Sequence, residues 1–168
     1  KPTWLATRSL VEKLWPIDNQ NKILPQENQT LSPSDFGFHN SLIRRDKTLC
    51  FLDLEYFGFD DPVKLIADFI WHPAMYLSDA QKKQWVRECF KIFSNNPQLE
   101  SRFRAAWPMY GLRWAMILLN EFHKEGWEKR IHANQELLKT RDDKLAEQLN
   151  KATRLCELIS SQKMECPY

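Results

Sequence analysis

Glycine is scarce, with 4 in 168 residues, too few for a Gly-rich β-protein or for the phosphate-binding turns of a Rossmann-type domain. The four cysteines, Cys50, Cys89, Cys156 and Cys166, stand far apart and form no CxxC pair. Neither a disulfide framework nor a zinc site is expected from them, and a reducing, cytoplasmic setting fits better. No apolar run approaches the ~18 residues that a membrane span needs. Charge of one sign is not in excess either: 24 Lys+Arg against 22 Asp+Glu leave a formal +2. That balance gives no long-range pull towards nucleic acid or an anionic membrane. The opening Lys1-Pro2-Thr3-Trp4 has neither an initiator Met nor the apolar core of a signal peptide, and it reads as the interior of a longer protein.

What is present is an ordinary globular balance, 43% hydrophobic and 27% charged, over a length that suits one domain, residues 1–168. Aromatics are plentiful, with 7 Trp, 10 Phe and 4 Tyr. Each buries a large area, so most belong to a core or a pocket wall.

The spacing of Trp4, Leu5, Leu10, Val11 and Leu14 predicts a helix over Thr3–Leu14, with Thr3 as its cap and Pro16 as its stop. Residues 18–30 are polar and read as a surface loop. Two short apolar runs, Ser41–Arg44 and Leu49–Leu52, flank the polar Arg45-Asp46-Lys47 and predict a single β-hairpin. Helices are then expected over Val63–Trp71, with Pro62 in its first turn, and over Ser78–Phe93, opened by the capping box Ser78-Asp79-Ala80-Gln81. A central apolar helix is expected over Leu99–His123, interrupted at Pro108, and a long amphipathic helix over residues 134–162. The fold class is therefore mainly α with a small β-hairpin.

The segment most informative for chemistry is Leu31–Asn40, followed by Phe51-Leu52-Asp53-Leu54-Glu55. Asp35 and Asn40 have four residues between them, and a hairpin would carry Asn40, before its first strand, close to Asp53, after its second. Phosphoryl transfer from a nucleotide needs such a set, with one carboxylate to take the proton of the attacking hydroxyl and oxygen ligands for Mg²⁺.

These residues resemble the catalytic loop and metal motif of the aminoglycoside phosphotransferase and choline kinase-like family, a branch of the protein-kinase-like fold. The family's His-Gly-Asp, four residues, Asn motif aligns with Pro33-Ser34-Asp35 through Asn40. Its Ile-Asp-Trp/Phe-Glu element aligns with Leu52-Asp53-Leu54-Glu55, and its Gly-Asp-Pro…Asp-Leu-Ala element with Asp60-Asp61-Pro62 and Ile66-Ala67-Asp68. The resemblance implies that Asp35 is the catalytic base, that Asn40 and Asp53 bind Mg²⁺, and that Glu55 supports or joins the metal site. It casts Asp68 as a buried residue tying down the catalytic loop, and residues 30–61 as catalytic loop plus metal-binding hairpin of a C-terminal lobe. Asp35-Phe36-Gly37 is not the protein-kinase metal motif on this reading, because Asp35 precedes the hairpin and the metal aspartate follows it.

Two departures stand out. Pro33 replaces the family's histidine, which braces the loop by hydrogen bonding, and the interior Phe36-Gly37-Phe38-His39 differs from the commoner Leu-His-Pro-Gly. There is also no Gly-rich phosphate loop and no strand lysine for ATP or GTP. Lys1–Thr30 is too short for an N-terminal lobe, so the isolated chain is expected to be inactive.

The acceptor is expected to be a small-molecule hydroxyl (a sugar, an amino alcohol or an aminoglycoside-like compound), with Trp107, Tyr110 and Arg113 as its candidate wall. His72, beside Pro73 and near Trp71 and Tyr76, reads as a helix-end packing residue. The competing class is a non-catalytic kinase-like module. Its long C-terminal helix would bind a protein partner or a second copy of the chain.

Overall fold

Helix α1 (Pro2–Leu14) starts on a proline, whose missing N–H costs nothing in a first turn. The helix thus begins one residue before the expected cap, and the Thr3 hydroxyl shares a 3.1 Å hydrogen bond with that of Ser160. Thr7 and Val11 turn inwards, while Trp4, Leu5, Leu10 and Leu14 stay exposed. The computed structural model describes residues 2–133, 141–161 and 166–167. After Pro16 comes a single helical turn, α2 (Ile17–Gln20), and then the loop leading to strand β1 (Thr30–Ser32).

The expected hairpin is present: β2 (Ser41–Ile43) pairs antiparallel with β3 (Leu49–Phe51), with Leu42 opposite Cys50. Its turn is closed by Asp46, whose Oδ1 accepts from the Thr48 N–H (3.0 Å) and hydroxyl (2.7 Å). A second ladder was not anticipated. Strand β1 pairs antiparallel with β4 (Gly58–Asp60), with Leu31 opposite Phe59. It staples both ends of the 30–61 segment together, so the hairpin projects from a closed base.

The rest is helical. Asp61 caps α3 (Pro62–Trp71) by accepting from the Val63 N–H at 2.8 Å. Helix α4 (Asp79–Ile92) carries both halves of the Ser78–Gln81 capping box. Helix α5 (Leu99–Leu118) runs unbroken through Pro108, contrary to the expected interruption. The lost hydrogen bond and ring clash cost roughly 3 kcal/mol, but α5 packs against α1, α3 and α7 and its burial outweighs that cost. A short helix, α6 (Lys124–Ala133), follows, where no helix was expected. Helix α7 (Arg141–Ser160) confirms the C-terminal part of the long amphipathic helix; residues 134–140 lie outside the described residues.

The core sits among α3, α4 and α5: Val63, Ile66, Ile70 and Trp71 meet Val86, Phe103 and Trp107. Fully burying such side chains contributes roughly 1.5–3 kcal/mol each. Leu155 and Ile159 of α7 close it from the far side. Gly111 permits the crossing, since a Cβ there would lie 2.8 Å from the Trp71 ring and 2.9 Å from Ile159. Arg130 of α6 and Gln148 of α7 both donate to the buried Glu121, fastening these helices to the turn after α5. Among the described residues, no helix is long and apolar enough to cross a membrane.

Candidate functional site

The loop between β1 and β2 is anchored on both sides of Asp35. Phe36 puts its ring against Phe51, Phe69 and Trp85, at centroid distances of 4.7, 5.5 and 6.2 Å. Ser34 adopts φ 62°, the left-handed region that suits glycine, and its hydroxyl accepts a 2.9 Å bond from Lys64 Nζ. Lys64 also pairs with Asp60 (3.3 Å) and Asp68 (3.4 Å). Asp68 is buried and accepts from Arg113 Nη1 (2.7 and 2.8 Å) and Trp114 Nε1 (3.0 Å). A polar chain therefore runs from α5 through Asp68 and Lys64 to the residue preceding Asp35.

The Asp35 carboxylate is partly exposed and its two oxygens differ. Oδ1 bonds His39 Nε2 at 3.0 Å and lies 3.4 Å from His72 Nε2. Oδ2 accepts from Asn40 Nδ2 at 3.2 Å, and the same amide group donates to the Asp35 carbonyl at 3.0 Å. Asn40 thus spends its nitrogen on Asp35, which leaves the amide oxygen available to another ligand. The Asn40 carbonyl in turn accepts from the Leu52 N–H at 2.8 Å, extending the hairpin ladder by one step. Asp53 is the next residue, held at φ 56°. Among the described residues, no hydrogen bond or ion pair restrains its carboxylate. The Tyr56 phenol pKa is pushed up by a bond to Glu55 and that residue's charge, then by desolvation and the charges of Asp53 and Asp35.

His72, at the end of α3, accepts the Ala74 N–H on Nδ1 at 3.1 Å. Burial, and then the neighbouring His39, push its pKa down to about 4, against the opposing pull of Asp35. At neutral pH it is therefore uncharged, with its proton on Nε2, the nitrogen beside Asp35.

Two donor sets can be tested against a metal. The ligand atoms of Asp35, His39 and His72 all lie within 4.8 Å of one another. A zinc-type ion needs a free lone pair on each imidazole, and His72 has none, since one nitrogen accepts from Ala74 and the other carries the proton. That set does not fit. Asp35, Asn40, Asp53 and Glu55 offer hard oxygen donors of the kind Mg²⁺ takes alongside water and phosphate, but among the described residues the carboxylates of Asp35, Asp53 and Glu55 do not gather into a three-ligand cluster as Asp35, His39 and His72 do. That set fits in donor chemistry.

The expected acceptor wall does not form. Trp107 is 3% exposed and packs on Trp71 and Phe103 in the core. Tyr110 faces a cavity of about 790 Å³, with Trp15, Leu24, Arg102 and Met109, which neither Asp35, Asn40 nor Asp53 lines. Arg113 is committed to Asp68. Successive turns of one helix put these three side chains in three different settings. Nor does His72 share a pocket with Trp71 and Tyr76: Trp71 is buried and Tyr76 fully exposed. The residues that sequence reasoning undervalued are His39, Lys64 and His72. For His72 the Pro-turn setting was visible, but the approach to Asp35 was not.

No protein-family model, no curated protein and no solved structure matches this chain.

Proposed function

We propose that the chain is the catalytic part of a small-molecule phosphotransferase that moves the γ-phosphoryl group of ATP or GTP to an acceptor hydroxyl. The observation that carries this reading is the Asp35–Asn40 bond at the foot of a hairpin whose next ladder position delivers Asp53. One carboxylate and one amide are locked together, and a second carboxylate is left unrestrained beside them. Ser34 adds support. It stands where the related motif has glycine, and it adopts the backbone conformation that glycine takes freely.

In this reading Asp35 accepts the proton of the acceptor hydroxyl. The oxygen's electron pair forms the new O–P bond while the γ-phosphorus loses its bond to the bridging oxygen, whose electrons leave with the nucleoside diphosphate. Asn40 Oδ1 and the Asp53 carboxylate would hold Mg²⁺, with Glu55 in support. Bound there, the ion would neutralise phosphate charge. The protein's own contribution is orientation: Lys64 fixes Ser34, Phe36 fixes the loop against the core, and Asn40 fixes Asp35. Leu42, Ile43, Leu49 and Phe59 are exposed around the site, as befits one half of a nucleotide cleft. The Gly-rich loop and strand lysine of the other half are not among these 168 residues, so the reading calls for them from a further segment.

The partner-binding alternative through the C-terminal helix loses ground here, because α7 spends Ala152, Leu155 and Ile159 on its own fold.

The test is transfer of labelled γ-phosphate from Mg-ATP to a panel of sugars, amino alcohols and aminoglycosides by the full-length protein. Asp35→Asn is expected to lower kcat by about 10²–10⁴-fold, the usual worth of a positioned base. Undiminished transfer by that variant would contradict the reading.

A further inference from the structure

We infer that His39 and His72 act as a stacked positioning pair that holds Asp35 by its Oδ1, reserving Oδ2 for the proton of the incoming hydroxyl. The inference rests on the phosphotransferase reading and adds which oxygen does the work and what orients it.

The pair is built from two distant parts of the chain. The two imidazoles are parallel within 5°, with centroids 3.9 Å apart. His39 bonds Oδ1 at 3.0 Å, and His72 approaches the same atom at 3.4 Å. Each ring is fixed from behind. His72 is held by the Ala74 N–H on Nδ1 and by the edge-on Trp114 ring, 4.4 Å away at 77°. Trp114 is itself pinned to Asp68. His39 lies over Gly37, where a Cβ would come within 2.7 Å of its Nδ1 and 2.9 Å of Met75 Sδ. The absence of a side chain at residue 37 thus makes room for the ring.

The consequence for Asp35 is an asymmetry. Oδ1 is bonded to His39 and has the His72 Nε2 close by at 3.4 Å without a hydrogen bond, whereas Oδ2 accepts from Asn40 and has no second ring nitrogen beside it. With Oδ1 crowded by two ring nitrogens and Oδ2 touched by one amide, the more open lone pair is on Oδ2. Pro33, having no side-chain donor and no N–H, reaches Asp35 from upstream only through its carbonyl, which accepts the Asp35 N–H at 2.8 Å. The stacked pair supplies the bracing from downstream.

Two readouts separate this inference from the reading beneath it. Ring ¹⁵N spectra at pH 7 are expected to show His72 as the neutral Nε2–H form, with the ring signals of both histidines moving in Asp35→Asn. Turnover of Mg-ATP, with water as acceptor, is then measured for the full-length protein. His72→Phe keeps a flat ring for stacking but removes the donor, and Gly37→Ala displaces His39. Each is expected to lower kcat about tenfold or more with KM for ATP unchanged, at unaltered circular dichroism. His72→Gln, which restores an N–H, is expected to recover part of the loss.

An Nδ1–H form of His72, ring signals indifferent to Asp35→Asn, or wild-type kcat in both His72→Phe and Gly37→Ala would overturn the positioning pair. A wild-type protein that turns over nothing, yet shows the expected spectra, would instead overturn the transfer reading and leave the contact standing.

Discussion

In the body made by α3, α5 and α7, large apolar side chains are buried and so are two partnered carboxylates: Asp68, paired with Arg113 and bonded to Trp114 and Lys64, and Glu121, which accepts from Arg130 and Gln148. In residues 30–61 the balance is reversed. The strands are three residues long, and Leu31, Leu42, Ile43, Leu52, Leu54 and Phe59 face outwards. Of the four non-glycine residues with positive φ among the described residues, three, Ser34, Lys47 and Asp53, fall in this stretch. Two of those flank the Asp35–Asn40 bond. The helical body carries the stability, and the appended segment carries the backbone strain and the unrestrained Asp53 carboxylate. Lys64, Phe36 and the β1–β4 ladder join the two, letting a weakly stabilised segment borrow rigidity from the body.

If this division holds, substitutions in the body should change stability, and those at the site should change binding. The largest effect is expected for Phe103→Ala, which empties a side chain with no exposure and should cost about 3–5 kcal/mol in urea denaturation. A loss below about 1 kcal/mol would show that the core is not where we place it.

Acid should reveal His72 next. Its ring takes up a proton near pH 4 in the folded chain against an ordinary 6.5. Between those values the unfolded state binds more protons. The stability contribution is therefore complete above pH 6.5 and is lost as pH falls towards 4, on the order of 2–3 kcal/mol. Denaturation of His72→Phe over the same range should show a correspondingly shallower pH slope; an unchanged slope would mean that other groups carry it.

Gly111→Ala, which forces a methyl group against Trp71 and Ile159, should cost about 1–3 kcal/mol. At the other pole, Asp53→Gly relieves a side chain held at φ 56° and should raise stability by up to about 1 kcal/mol while removing the second carboxylate. A stabilised but inactive variant would sharpen the contrast, and a destabilised one would place Asp53 among the residues that hold the fold.

The helical body was largely legible in the sequence because its signals are local. Ser78 and Gln81 form their capping box as spaced, and Pro62 opens α3. The apolar spacing of α5 and α7 survives. Two local signals misled. Pro108 counts as a breaker only where packing does not override it, and the charge-rich 124–133 stretch offers little apolar periodicity beyond Trp127 and Ile131. The β1–β4 ladder was invisible, since three-residue strands carry no alternation and their pairing is decided by what closes the hairpin's base.

For the site, the Asp35–Asn40 contact, and the place of Asp53 one residue beyond the Leu52–Asn40 ladder bond, could be read from spacing plus one hairpin. The Trp107, Tyr110 and Arg113 wall failed because each three-residue step turns about 60° around the helix axis, so the three side chains fan over about 120° into the core, a cavity and the Asp68 pair. The approach of His72 to Asp35 is a tertiary fact with no counterpart in local pattern.

The claim on which the rest depends is that Asn40 and Asp53 share a cation beside Asp35. Mn²⁺, as a paramagnetic stand-in for Mg²⁺, can be titrated against the NMR spectrum of the labelled protein. The account predicts that the Asn40 side-chain amide and the backbone signals of residues 35 and 53 broaden first, that excess Mg²⁺ reverses the broadening, and that Asp53→Asn abolishes it. Broadening centred elsewhere, or persisting unchanged in Asp53→Asn, would contradict it.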